Sequence, residues 1–273
     1  MPSQRATEAR AEALLEASME AARRAAAFIR EQSRDLARID VREKQAADFV
    51  SEVDEGAESR IRDALLEAVP GAIMVGEELS PAAAVEGDTV FVVDPLDGTT
   101  NFLHGFEAYS VSIGALVEGS LAAAVVLDVP HDDMYTATAG GGAWLNGKRM
   151  RVSHVADPGR ALIGTGFPFK NLEFLDEYLG QFERMTRARC GLRRAGSAAL
   201  DLAWVAAGRF DAFWEMRLAP WDIAAGLLLV REAGGRVTDL LGNDIAPAHT
   251  PTVASNAELH EWLLSTIALR HGA

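Results

Sequence analysis

Cysteine is nearly absent: Cys190 stands alone among 273 residues. That excludes an intramolecular disulfide and fits a reducing cytoplasm. A lone thiol of this kind reads as a small buried hydrophobe rather than a nucleophile. Long apolar runs are also lacking. No uncharged stretch approaches the ~20 residues of a membrane-spanning helix, and the charged start (Arg5, Glu8, Arg10, Glu12) predicts no secretory leader. Positive charge is scarce, with 26 bases against 40 acids and a formal charge of −14. The nearest basic clusters, Lys148-Arg149-Met150-Arg151 and Arg193-Arg194, are too short for a nucleic-acid footprint. The histidines form no His-x-x-x-His or Glu-x-x-His pair, which speaks against zinc hydrolysis. Ser197 lies in Gly-Ser-Ala-Ala rather than Gly-x-Ser-x-Gly, and Gly164-Thr165-Gly166 lacks the third glycine of a dinucleotide fingerprint.

What is present is enough for a sizeable core: 49% of residues are hydrophobic and 24% charged. The first ~38 residues read as a helix, with Leu14, Leu15, Ala22, Ala26, Ile29 and Leu36 at roughly helical spacing. Residues 44–53 break that pattern and read as a loop leading to Asp54, and a second helix over 55–68 stops at Pro70-Gly71. From Ile73 to Val152 short β-type runs with glycine punctuation predict antiparallel hairpins, and Gly140-Gly141-Gly142 a hairpin bend. The remainder alternates, with helices over 172–187, 197–206, 221–233 and 258–269 and strands over 161–165, 210–214, 236–239 and 252–254. That is an α/β half. With no repeat or long linker, the halves 1–152 and 153–273 are expected to pack as one body.

The most informative segment is the apolar run Val90-Phe91-Val92-Val93, which delivers Asp94 at its end. Pro95 stiffens the exit, Asp97 follows three residues on, Gly98 permits a tight turn, and Thr99-Thr100 suit a helix start. Two carboxylates presented this way can address one hard cation such as Mg²⁺. Taken alone, Asp-x-x-Asp fits a capped turn equally well. Similar acids recur after Ile73-Met74-Val75, in Gly76-Glu77-Glu78, and at Trp221-Asp222, where a long apolar helix opens. Asp222 and Asp54 each read as helix caps when considered singly.

Together, Gly76-Glu77-Glu78, Asp94-Pro95-Leu96-Asp97-Gly98-Thr99-Thr100-Asn101-Phe102 and Pro220-Trp221-Asp222-Ile223-Ala224-Ala225-Gly226 resemble the inositol monophosphatase family. The segments 163–169 and 193–201 are similar to its bacterial branch. The resemblance runs from about Lys44 to Gly242. It implies a layered α-β-α-β-α sandwich of the inositol monophosphatase/fructose bisphosphatase type, and Mg²⁺-dependent hydrolysis of a phosphate monoester. By that match Glu77, Asp94, Asp97, Asp222 and the Leu96 carbonyl are the metal ligands, for two or three Mg²⁺ per site. Asp54 and Thr99 correspond to the pair that orients the attacking water, with Glu77 beside them. Lys44 corresponds to a mobile-loop lysine. Gly98 and Thr99 would hold the phosphate next to Asp97, and Gly196, Ser197, Ala198 and Glu215 would line the sugar-alcohol side. Arg217 departs from the small residue common at its position, which bears on the choice of polyol.

The chemistry suits these residues. Asp54, Glu77, Asp94, Asp97 and Asp222 would repel a phosphate dianion until cations offset them. No covalent intermediate is required, since a threonine beside Asp54 serves as a relay to water. Inositol monophosphate is the expected substrate. Histidinol phosphate, fructose 1,6-bisphosphate, a 3′-phosphoadenosine nucleotide, or a protein-interaction role on the same fold are the alternatives. The resemblance also implies a homodimer and inhibition by lithium. The composition adds a cytoplasmic location without direct nucleic-acid or membrane partners.

Overall fold

A computed structural model describes residues 4–268 other than 46, 47, 83, 84, 86, 170 and 171, and not the side chains of residues 4, 43–45, 48 and 49. The first helix, α1 (Gln4–Gln32), continues into a 3-10 segment (Ser33–Arg38). Leu14, Ala22, Ala26 and Ile29 form its buried face, as their spacing predicts. The expected loop over 44–53 is instead a hairpin of β1 (Val41–Gln45) and β2 (Asp48–Ser51), with α2 (Glu52–Ala68) following at once. Val41-Arg42-Glu43-Lys44-Gln45 has no apolar alternation, so its pairing left no mark in the pattern. Ser51 caps α2 and forms a capping box with Asp54.

α1 and α2 cover one face of a seven-stranded sheet ordered β3 (Ile73–Gly76), β4 (Thr89–Asp97), β5 (Ser110–Val117), β6 (Ser120–Asp128), β7 (Asp133–Thr138), β8 (Gly142–Leu145) and β9 (Lys148–Arg149). Every neighbouring pair is antiparallel except β3 and β4. That parallel edge corrects the expectation of hairpins throughout. Between β4 and β5 comes α3 (Thr99–Leu103).

Alternation along β6 divides the core. Ala123, Val125 and Leu127 pack on the α1/α2 side, whereas Ala124 and Val126 pack with α5 (Ala198–Ala206) and α6 (Pro220–Glu232). α6 is buried nearly all round because it lies between two sheets, which explains its unbroken apolar run Leu227-Leu228-Leu229-Val230. The second sheet is ordered β11 (Gly191–Arg193), β10 (Leu162–Thr165), β12 (Ala212–Leu218), β14 (Thr250–Ser255) and β13 (Arg236–Thr238). Phe213 and Ala254 face α5 and α6, while Trp214 and Val253 face α4 (Leu175–Arg187) and α7 (His260–Ile267). The layers are therefore α-β-α-β-α, as expected.

β12 runs to Leu218, so Glu215 lies within the strand and not at its end. Cys190 is half-buried against the α4/α7 core, and burial pushes its thiol up, in keeping with an inert role. No described helix is long and apolar enough to cross a membrane.

Candidate metal centre

Residues three apart on a regular strand point to opposite faces. Asp94 and Asp97 escape this because the β4–β5 register shifts between them. The Asp94 carboxylate accepts the Leu96 N–H at 3.0 Å, closing a turn across Pro95. Gly98 then takes φ +97°, and a Cβ there would stand 2.8 Å from the Ala108 carbonyl oxygen, so no other residue fits without strain. Asp222 arrives from the first turn of α6, where its Oδ2 accepts the Ala219 N–H at 2.6 Å. Oxygen atoms of Asp94, Asp97 and Asp222 all lie within 4.8 Å of one another.

This crowding has an electrostatic signature. Burial lifts Asp94 well above the usual carboxylate range, and the charges of Glu77, Asp97 and Asp222 add to the effect. Asp222 is raised by burial, then by Asp97 and Glu77. Carboxylates packed so closely hold either protons or a cation. The donors are hard oxygens, so the set fits a hard divalent ion, with Leu96 and Glu77 at the same cavity wall.

That cavity, about 670 Å³, also presents Gly98, Thr99, Gly196, Ser197, Ala198, Glu215 and Arg217. Asp54 does not line it. It sits one layer behind, 1% exposed, with Oδ1 accepting from the Thr99 hydroxyl at 2.8 Å and Oδ2 from the Ser51 hydroxyl and N–H at 2.6 and 2.8 Å. Burial raises its carboxyl above the ordinary range, partly offset by the bonds from Ser51 and Thr99. The Thr99 hydroxyl also lies 3.1 Å from the Leu96 carbonyl oxygen. Ser197, expected on the polyol side, is 1% exposed and donates to Asp97 Oδ2 at 2.5 Å, beside the Ala199 N–H at 2.8 Å. It holds a carboxylate of the cluster. Glu215 packs against Gly166, where an added Cβ would fall 2.0 Å from its carboxyl carbon. Lys44 has its backbone on β1, and its side chain lies outside the described residues.

Three groups escaped the sequence reading. Glu58, fully buried, accepts the N–H groups of Glu78 and Leu79 at 2.7 and 3.0 Å and so fixes the turn that carries Glu77. Its spacing of four from Asp54 on α2 was the available signal. Arg194 stacks over Phe167 and Phe169, 5.4 and 5.2 Å from their ring centroids. Asp201 lies buried on the same cavity. Neither has a spacing that marks it.

The model of the inositol monophosphatase family matches residues 10–270. A Pseudomonas aeruginosa protein named Nus factor SuhB is 46% identical over 261 residues, covering 93% of this chain and 95% of its own. An inositol-1-monophosphatase of Rhizobium meliloti is 44% identical over 230 residues, 84% of this chain and 86% of its own. The crystal structure of extragenic suppressor protein suhB from Bartonella henselae superposes with a TM-score of 0.88 at 37% identity, over 96% of this chain and all of that one. With the acids of its three motifs gathered at one cavity and these relatives spanning nearly its whole length, the chain belongs to the inositol monophosphatase family.

Proposed function

We propose that the protein hydrolyses phosphate monoesters with Mg²⁺, and that inositol monophosphate is the substrate it serves, giving inositol and phosphate. The observation that carries this reading is the meeting of Asp94, Asp97 and Asp222 within 4.8 Å on a cavity that also presents Thr99 backed by Asp54. Glu77, Asp94, Asp97, Asp222 and the Leu96 carbonyl would hold two or three Mg²⁺, which when bound supply Lewis-acid stabilisation of developing charge and make water a stronger acid. The chain's own atoms do the rest. A water beside Thr99 can pass a proton to Oγ1 while the threonine proton moves to Asp54 Oδ1. Burial makes Asp54 a better base than a free carboxylate, and Ser51 holds its other oxygen still. Ser197 and Ala199 orient Asp97, and Ala219 orients Asp222.

Gly98 and Thr99 border the place assigned to the phosphate, and Gly196, Ala198 and Glu215 border the polyol side. The half-buried Glu215 carboxylate suits hydrogen bonds from ring hydroxyls. Lys44 enters by resemblance alone. So do a homodimer and lithium inhibition, while the cytoplasmic location rests on composition.

Phosphate release from inositol 1-phosphate, histidinol phosphate, fructose 1,6-bisphosphate and a 3′-phosphoadenosine nucleotide tests the reading. Hydrolysis should need Mg²⁺ and favour inositol 1-phosphate in kcat/KM. No release from any of them at saturating Mg²⁺ overturns it. The name of the Pseudomonas relative favours a second reading, a binding role on the same fold. Asp97→Asn separates the two. It should lower kcat/KM by at least ~10²-fold through loss of a ligand charge, while a binding role at another surface would survive.

A further inference from the structure

One acid on the cavity wall has no part in this chemistry. Asp201 lies in the first turn of α5, four residues after the capping Ser197. Its side chain is 2% exposed and borders the cavity, and its Oδ1 has no hydrogen-bond partner. A buried carboxyl oxygen without a hydrogen-bond partner is destabilising. Nearby stands Arg194, whose Nε is also buried without a partner. Burial first, then the carboxylates of Glu215 and Asp97, raise Asp201 well above the usual carboxylate range, against the opposing charge of Arg194. Asp201 is thus a buried polar group on the cavity wall with an oxygen left to bond, close to the residue assigned to substrate hydroxyls.

We propose that Asp201 is a specificity-determining residue whose carboxyl exchanges a hydrogen bond with a ring hydroxyl of a cyclic polyol phosphate. This rests on the reading of the protein as a polyol-phosphate phosphatase. A hydroxyl both donates and accepts, so it can satisfy Oδ1 whichever way the proton lies. Beside the acceptor Glu215, Asp201 adds a second point of contact, which fixes the orientation of the ring as one carboxylate cannot. An ester without hydroxyls leaves Oδ1 unpartnered and gains nothing. A wall built this way discriminates strongly against substrates lacking the hydroxyl.

The test uses Asp201→Leu, which removes both oxygens on the same branched skeleton with bulkier ends, and Asp201→Asn, which keeps an acceptor and a donor. Each is assayed at saturating Mg²⁺ on inositol 1-phosphate and on an aryl phosphate, with thermal melting alongside. Asp201→Leu should remain folded, lose about tenfold or more in kcat/KM on inositol 1-phosphate, and stay within about twofold on the aryl ester. Asp201→Asn should fall between, and it carries the test if the leucine variant does not fold. Equal losses on both esters, or no loss on either, overturn the proposal while leaving the phosphatase reading intact. A parent protein that shows no preference for inositol 1-phosphate over the aryl ester overturns the polyol reading and this inference together.

Discussion

In the proposed reaction Thr99 and Asp54 act as one device, because the threonine meets the cavity and the aspartate, behind it, bonds among the described residues to Thr99 and its own helix cap. Thr99→Ala and Asp54→Asn should therefore each reduce kcat/KM, and the double variant should be hardly worse than the poorer single one. Losses that add in full across the cycle would show two separate roles. Glu215 is expected to behave differently. Glu215→Gln keeps shape and one acceptor but loses the charge, and a charge-assisted hydrogen bond is worth ~1.5–3 kcal/mol. A roughly tenfold loss on inositol 1-phosphate with little change on an aryl phosphate is the expected outcome. Comparable losses on both esters would move Glu215 into the metal machinery.

At the scale of elements, α2 serves the site twice from one face. Asp54 reaches Thr99, and Glu58, one turn on, anchors the turn after β3 through the N–H groups of Glu78 and Leu79. Glu58→Gln would set an amide N–H₂ against one of those donors and loosen Glu77. The Mg²⁺ concentration for half-maximal activity should rise ~10-fold or more, since partners that hold ligands in place are worth ~10–100-fold, with kcat largely restored at saturating Mg²⁺. A lowered kcat with unchanged Mg²⁺ dependence would place Glu58 elsewhere in the mechanism. Glu58 also marks where sequence reading stops. The strand–turn at Asp94–Thr99 was legible because apolar residues, proline and glycine each leave a local sign. α6 was legible from its unbroken apolar run. Glu58 and Asp201 were not, because an acid on a helix looks solvated until the packing around it is known. The β1–β2 hairpin escaped because its residues are polar, and the length of β12 because Glu215 and Arg217 interrupt its apolar pattern. The parallel pairing of β3 with β4 depends on a partner chosen in three dimensions.

At the scale of the whole molecule, the cluster gathers acids from different layers of the fold at one place. Asp94 and Asp97 belong to the seven-stranded sheet, Asp222 opens α6 between the sheets, and Ser197 at the start of α5 holds Asp97. In a chain of net charge −14 this concentrates repulsion at the junction. Asp94 and Asp222 are raised in the native state, so between the unfolded and native carboxyl values the native state binds more protons than the unfolded one. Without Mg²⁺, their contribution to stability must then fall as pH rises through that window. Mg²⁺ held as proposed would compete with those protons and bind the folded chain, so its stabilisation should grow with pH. At 100 times its dissociation constant a ligand adds ~2.7 kcal/mol, or roughly 5–10 °C in Tm for a chain of this size. Melting curves at pH 5 and pH 8, with and without Mg²⁺, should show that gain at pH 8 and little of it at pH 5. Asp222→Asn, which removes a charge and keeps the bond to Ala219 possible, should raise Tm in Mg²⁺-free buffer at pH 8 and shrink the Mg²⁺ shift. If Asp222→Asn instead melts lower without Mg²⁺, repulsion at this junction is not what the acids contribute to the fold. The site would then be held together by its hydrogen bonds alone.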